Sequence, residues 1–218
     1  MTPPRPPPPP TDRLPVEGNF IEQRVFVYWK ESILGLTSLQ KIILVPGVIE
    51  VAAILAGNYP DAPGAPWVLR YLLPPGGLAA LQLTTPFLAG WALNLAGTLL
   101  RVHCYRKLDR HFTYELAVQK DQKLVTDGVY GIVRHPSYTA AIAACIGFYM
   151  AQLCPGSWLY EYIGVVPTAV LGTSLFAMMV VGLGERIRTE DNMLKTNFGE
   201  QWQEWAKRVP YRIIPGII

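Results

Sequence analysis

Charge is missing from long stretches of this chain, and nothing else in the sequence limits its folding as much. Residues 76–100, 137–153 and 162–184 are runs of 25, 17 and 23 residues without a Lys, Arg, Asp or Glu. Crossing a bilayer takes about 20 apolar residues. The runs are continuous rather than alternating, which reads as helix and not strand. A fourth stretch, 39–57, is weaker, because Lys41, Pro46 and Glu50 lie inside it. Only 16% of the chain is charged and half is hydrophobic, against roughly 25% charged in an ordinary soluble domain. A disordered chain, a nucleic-acid binder and a typical cytosolic enzyme are disfavoured. The net charge of +3 implies no bulk electrostatic partner.

The positions of the basic residues then set an orientation. With four spans and a cytosolic N-terminus, residues 1–41, 101–136 and 185–218 share the cytosolic side. They hold 18 of the 19 Lys and Arg, Arg70 being the exception, which is the bias that the positive-inside rule describes. The expected fold is therefore all-α: a polytopic membrane helix bundle of about four spans, with room for a fifth, both termini cytosolic, and a cytosolic loop and C-terminal tail forming a pocket. The expected divisions are a proline-rich tail (1–18), N-terminal interfacial and transmembrane helices (19–100) and a core with a transmembrane hairpin (101–218). Residues 1–15 hold eight of the 20 prolines and read as a flexible tail or an SH3-type ligand. No signal peptide and no prenylation box is visible. The stretch 20–36 suggests an interfacial helix, and 67–73 an interfacial or re-entrant piece. The turn Cys154-Pro-Gly-Ser-Trp158 should join the last two spans. The three cysteines read as reduced thiols.

Chemistry is expected in the loop and the tail. Pro136 opens the third run, so Arg134 and His135 stand at a helix N-terminus, where N–H groups and the dipole favour an anion. They bind a ligand carboxylate or phosphate there, or serve as interfacial anchor and cap. Arg186 and Glu190 are four apart on one helix face: a plain salt bridge, or an anion site and a cation site side by side. Phe198, Trp202 and Trp205 read as packing or interface residues. Glu50 is an acid inside a span, which points to function or to a partner on a neighbouring helix. His103 and His111 lack a third ligand nearby, so no metal is proposed. The small residues Gly90, Ala92, Ala96, Gly97 and Gly172 permit close helix packing.

Leu124-Val-Thr-Asp-Gly-Val-Tyr130 followed by Arg134-His-Pro-Ser-Tyr138 resembles the signature of the isoprenylcysteine carboxyl methyltransferases. So does the ending with Glu190-Asp191, Phe198-Gly199-Glu200, Arg208-Val-Pro210 and Ile214-Pro-Gly216. The resemblance covers about residues 95–218. The Arg-His-Pro-Ser-Tyr run alone is also found in phospholipid methyltransferases and in some membrane sterol reductases. Its pairing with the tail motif is more specific.

The resemblance implies an endoplasmic reticulum enzyme. It would transfer a methyl group from S-adenosylmethionine to the C-terminal carboxylate of prenylated cysteine in processed CaaX proteins, with membrane lipid around it and no nucleic acid. By position, Gln119, Gln122, Lys123, Leu124, Val125, Tyr130, His135, Pro136, Ser137, Tyr138 and Glu190 match cofactor contacts. Arg186 matches the substrate-carboxylate residue, and is the catalytic and substrate-binding candidate. The family often has a second glutamate where Asp191 stands, so no role is carried over to Asp191. The alternatives are a phospholipid N-methyltransferase of the same superfamily and a non-catalytic membrane scaffold.

Overall fold

The computed structural model describes residues 45–109 and 122–217. Among them every regular element is helical: α1 (Val45–Asn58), α2 (Ala65–Tyr71), α3 (Thr85–Leu108), α4 (Pro136–Leu153), α5 (Trp158–Ile163), α6 (Val165–Phe198) and α7 (Glu200–Arg208). Short 3-10 turns occupy Leu78–Ala80 and Gly128–Gly131. The expected proline tail, the 20–36 helix, His111 and Gln119 lie outside the described residues.

Of the described helices, α6 alone is both long and apolar enough to cross a membrane by length and composition. Its 34 residues extend for roughly 50 Å at 1.5 Å per residue, well beyond a hydrocarbon core of about 30 Å. The sequence expectation ended this run at Gly184. The helix continues to Phe198 because no Gly or Pro interrupts residues 185–198, and Gly199 (φ 51°) then ends it. Similarly, α3 runs past Leu100 and carries Arg101, His103, Arg106 and Lys107 in its last turns.

The apolar run 76–100 is not one helix, contrary to expectation. Gly77 (φ 68°) turns the chain, a 3-10 turn follows, and Gln82 donates its backbone N–H to Gly156 O at 3.1 Å before α3 begins at Thr85. The run 162–184 is also divided. Ser157 caps the short α5, whose last residues are Tyr162 and Ile163, and Gly164 (φ 91°) separates it from α6. The piece expected at 67–73 falls largely in α2, too short to span.

The chain forms two compact units. In one, made of the described residues of 45–92 with 146–175, Trp158 ties the connecting segments together. Its indole N–H donates to Leu72 O at 2.7 Å, and its ring stacks on Tyr162 with centroids 4.8 Å apart. Its backbone N–H donates to Glu50 Oε2 at 3.3 Å. Glu50 therefore accepts from the first turn of α5, a role worth about 1.5 kcal/mol or more for a bond to a charged group. Here α3 and α4 touch through Gly90, where a Cβ would lie 2.6 Å from Ala151 N and Gly147 O.

The other unit takes the described residues of 93–145 and 176–217. A Cβ on Gly97 would meet Ala144 N at 2.6 Å and Ala140 O at 2.7 Å. That backbone contact brings Asn94 Nδ2 to Ala144 O (2.7 Å) and Arg101 Nη1 to Ser137 O (3.1 Å). Its core is Cys104, Tyr130, Trp205 and Val209, with Leu124, Val125 and Trp202 packed against it.

Candidate functional site

The site is assembled within this second unit from three stretches: the residues leading into α4, the polar half of α6, and the segment after α7. Gly128 (φ 61°) lets the chain make the turn that buries Tyr130. Trp205 of α7 donates its indole N–H to Tyr130 O at 3.1 Å. Arg134 and His135 donate their backbone N–H groups to Tyr211 O (2.9 Å) and Arg212 O (2.8 Å). Thr139 Oγ1 donates to Ile213 O at 2.7 Å. Residues 209–213 are thus held along the entry to α4.

Two acids of α6 face this entry. Tyr138 stands between Arg186 and Glu190: its hydroxyl accepts from Arg186 Nε at 2.7 Å and donates to Glu190 Oε2 at 2.6 Å. The pair expected from the i,i+4 spacing is therefore bridged by a phenol from another helix. Asp191 is buried, and its Oδ1 is 3.0 Å from His135 Nε2. Its Oδ2 lies 3.2 Å from Arg212 Nε and 3.6 Å from Arg134 Nη2. His135 Nδ1 is 3.8 Å from Glu190 Oε2, and the His135 and Tyr138 rings stack 5.6 Å apart. The Arg134 guanidinium lies over the Trp202 ring, 5.5 Å from its centre.

Asp191 sits seven residues beyond the apolar stretch of α6. Burial alone would raise its carboxyl pKa. The hydrogen bond with His135 and the charges of His135, Arg134 and Arg212 outweigh burial and hold it below its ordinary value. Arg134 is lowered, chiefly by burial, with Asp191 opposing. So the anion that the Arg134-His135 helix entry attracts is the protein's own Asp191.

The residues expected from sequence divide into groups. Tyr138, His135, Arg186 and Glu190 come together. Ser137 and Pro136 flank them at the start of α4. Leu124 and Val125 are half-buried on the Tyr130–Trp205 core, with Gln122 half-buried and Lys123 exposed beside them in sequence. Tyr130 is a core residue, only 6% exposed. Asp191 and Arg212 were missed. The signal available was charge order: a basic pair, Arg134-His135, and an acidic pair, Glu190-Asp191, each at a helix border. Trp205 serves packing, and Trp202 packs on the same core.

Several features suit a ligand that carries both charges. Glu190 is the acid of the cluster that retains some exposure, at 30% of its side chain. Arg134 Nε and Trp202 Nε1 are buried donors without a hydrogen-bond acceptor.

A family model described as the isoprenylcysteine carboxyl methyltransferase (ICMT) family matches residues 90–196. The chain is 34% identical over 123 residues to protein-S-isoprenylcysteine O-methyltransferase B of Arabidopsis thaliana, covering 56% of this chain and 55% of that protein. It is 29% identical over 116 residues to the protein-S-isoprenylcysteine O-methyltransferase of Schizosaccharomyces pombe, covering 52% and 43%. It is also 30% identical over 107 residues to a probable 7-dehydrocholesterol reductase of Acanthamoeba polyphaga mimivirus, but this covers only 21% of that protein. The chain spans about half the length of the two methyltransferases it matches.

Proposed function

We propose, on the premise that residues 90–196 belong to the isoprenylcysteine carboxyl methyltransferase (ICMT) family, that this protein methylates the C-terminal carboxylate of prenylated cysteine, using S-adenosylmethionine. The observation that carries the reading is the relay Arg186–Tyr138–Glu190. It sets a cationic and an anionic side chain one helical turn apart, just past the apolar part of α6. The reactants are an anion and a cation, so each meets a complementary charge.

The residues present fit the cofactor. Glu190 suits a cationic centre, and the orphaned donors Arg134 Nε and Trp202 Nε1 suit a carboxylate. Leu124 and Val125 offer an apolar strip for a nucleoside. Gln119, Gln122, Lys123, Tyr130, His135, Pro136, Ser137 and Tyr138 complete the proposed cofactor set by their positions in the motif. S-adenosylmethionine, when bound, supplies the methyl group.

The chain's own residues have to orient rather than activate. A terminal carboxylate has a pKa of about 3.5, so at neutral pH it is already the nucleophile and needs no general base. Arg186 binds and aims it, and Tyr138 holds Arg186 by Nε. Proximity and alignment then supply most of the rate. The reaction consumes one positive and one negative charge, so a site that excludes water favours its transition state over solvated reactants.

The prenyl chain reaches such a site from lipid. The proposal includes an endoplasmic reticulum membrane and a cytosolic pocket of loop and tail; the four spans inferred from the sequence are part of it, with α6 the described helix that meets both length and apolarity. The probable reductase relative aligns over about a fifth of its own length, so the resemblance by itself does not specify the acceptor. Arg186 does, because an amine acceptor would be repelled by it. The test is methyl transfer to N-acetyl-farnesylcysteine against phosphatidylethanolamine. Transfer to the first alone supports the proposal, and transfer to the second alone overturns it.

A further inference from the structure

Asp191 is a buried acid with several cationic neighbours, and the proposed reaction assigns it nothing. It is 4% exposed, and three cationic or potentially cationic groups converge on it: His135 Nε2, Arg212 Nε and Arg134 Nη2. Arg212, its most exposed partner, belongs to the segment whose carbonyls accept from the Arg134 and His135 backbone. Arg134 Nη2 also donates to Pro210 O at 3.4 Å. One carboxylate therefore contacts Arg134, His135 and the segment passing over both.

We infer that Asp191 is a positioning residue with two tasks: it sets the ring of His135, and it fastens residues 209–213 over the entry to α4. The first follows from hydrogen-bond chemistry. An ionised carboxylate only accepts, so Nε2 of His135 carries the hydrogen in either charge state of the ring. Nδ1 is then the nitrogen left free of that bond, and it faces Glu190 across 3.8 Å, with the Tyr138 ring stacked beside it. The second follows from the registry of bonds at Tyr211, Arg212 and Ile213. Neither task touches a reacting atom. The inference rests on the proposed function only in treating Glu190 and His135 as the cofactor side.

The test uses the full chain in lipid nanodiscs, as wild type, Asp191→Asn and Arg212→Met. Nitrogen-15 spectra of labelled histidine report the tautomer. Wild type should show one ring with its hydrogen fixed on Nε2. Asp191→Asn should show mixed tautomers, because an amide both donates and accepts. In Arg212→Met the tautomer should persist, but amide exchange at Arg134 and His135 should quicken by about tenfold, because the ion pair between Arg212 and Asp191 is lost. In both variants the KM for S-adenosylmethionine should rise more than kcat falls. A single Nε2–H tautomer in Asp191→Asn, or unchanged exchange in Arg212→Met, overturns the inference; the second arm stands even if Asp191→Asn does not fold. Altered spectra and exchange in a protein whose wild type transfers no methyl group would uphold the positioning role and reject the proposed reaction.

Discussion

The two units are held together by different means. In the unit of 45–92 and 146–175, the long-range bonds described run mainly from neutral donors to backbone carbonyls: Trp158 to Leu72, Tyr162 to Tyr71, Thr84 to Pro155. A charged contact of this kind, Glu50 with Trp158, serves a helix start. In the unit of 93–145 and 176–217, six ionisable side chains form a connected cluster: Arg134, His135, Tyr138, Arg186, Glu190 and Asp191, with Arg212 at its rim. Buried charges are costly and do not in general add stability. Their concentration in one unit is what the proposed site, rather than a demand of folding, would account for.

Experiments that break this contrast would be informative. The largest effect should come from Arg186→Ala, with kcat/KM for N-acetyl-farnesylcysteine falling about 100-fold, as expected for loss of a guanidinium–carboxylate pair. Cofactor affinity by calorimetry should change little. Equal loss of both would assign Arg186 to the cofactor. A stability effect should follow at the α3–α4 contact. Gly97→Ala forces a Cβ against backbone and should cost about 1–3 kcal/mol. Gly184→Ala enters open space in α6 and should gain about 0.5–1 kcal/mol. Thermal unfolding separates them, and similar shifts would deny the close approach. In the scaffold unit, Glu50→Ala should lower stability by about 1.5 kcal/mol. Glu50→Gln, which keeps an acceptor, should cost less, and both should leave kcat/KM within about twofold. A tenfold loss of turnover in Glu50→Gln would move function into that unit. The smallest effect concerns acid. Because the folded-state pKa of Asp191 is depressed, its contribution is complete above its ordinary value of 3.8 and is lost as pH falls through the lower folded value. Wild type should therefore lose melting temperature below pH 3.8 more steeply than Asp191→Asn.

The helices were legible because charge is excluded from lipid-facing or buried runs, and such runs are visible residue by residue. Their ends were less legible. Residues 76–84 are apolar without being helical, since Gly77 turns the chain there. Residues 185–198 are polar yet helical, since nothing breaks the helix. Hydropathy measures neither property. Arg186, Glu190 and Tyr138 were proposed from the motif and lie together, but the phenol bridge between them was not legible, because Tyr138 is 48 and 52 residues from its two partners. Asp191 was passed over as a departure from the family pattern. Its role depends on residues 56 positions before it and on Arg212 after it, and no local spacing reveals that convergence.

The consecutive acids of α6 have a further consequence. Glu190 and Asp191 project about 100° apart, one toward Tyr138 and the other toward His135. Removing any single residue between Arg186 and Glu190 would shift this frame by one. Asp191 would then arrive opposite the phenol, and the neutral Asn192 would arrive among Arg134, His135 and Arg212. Three bases would lose their counter-ion with no acid substituted at all. In this stretch the count of residues is under as much constraint as their identity.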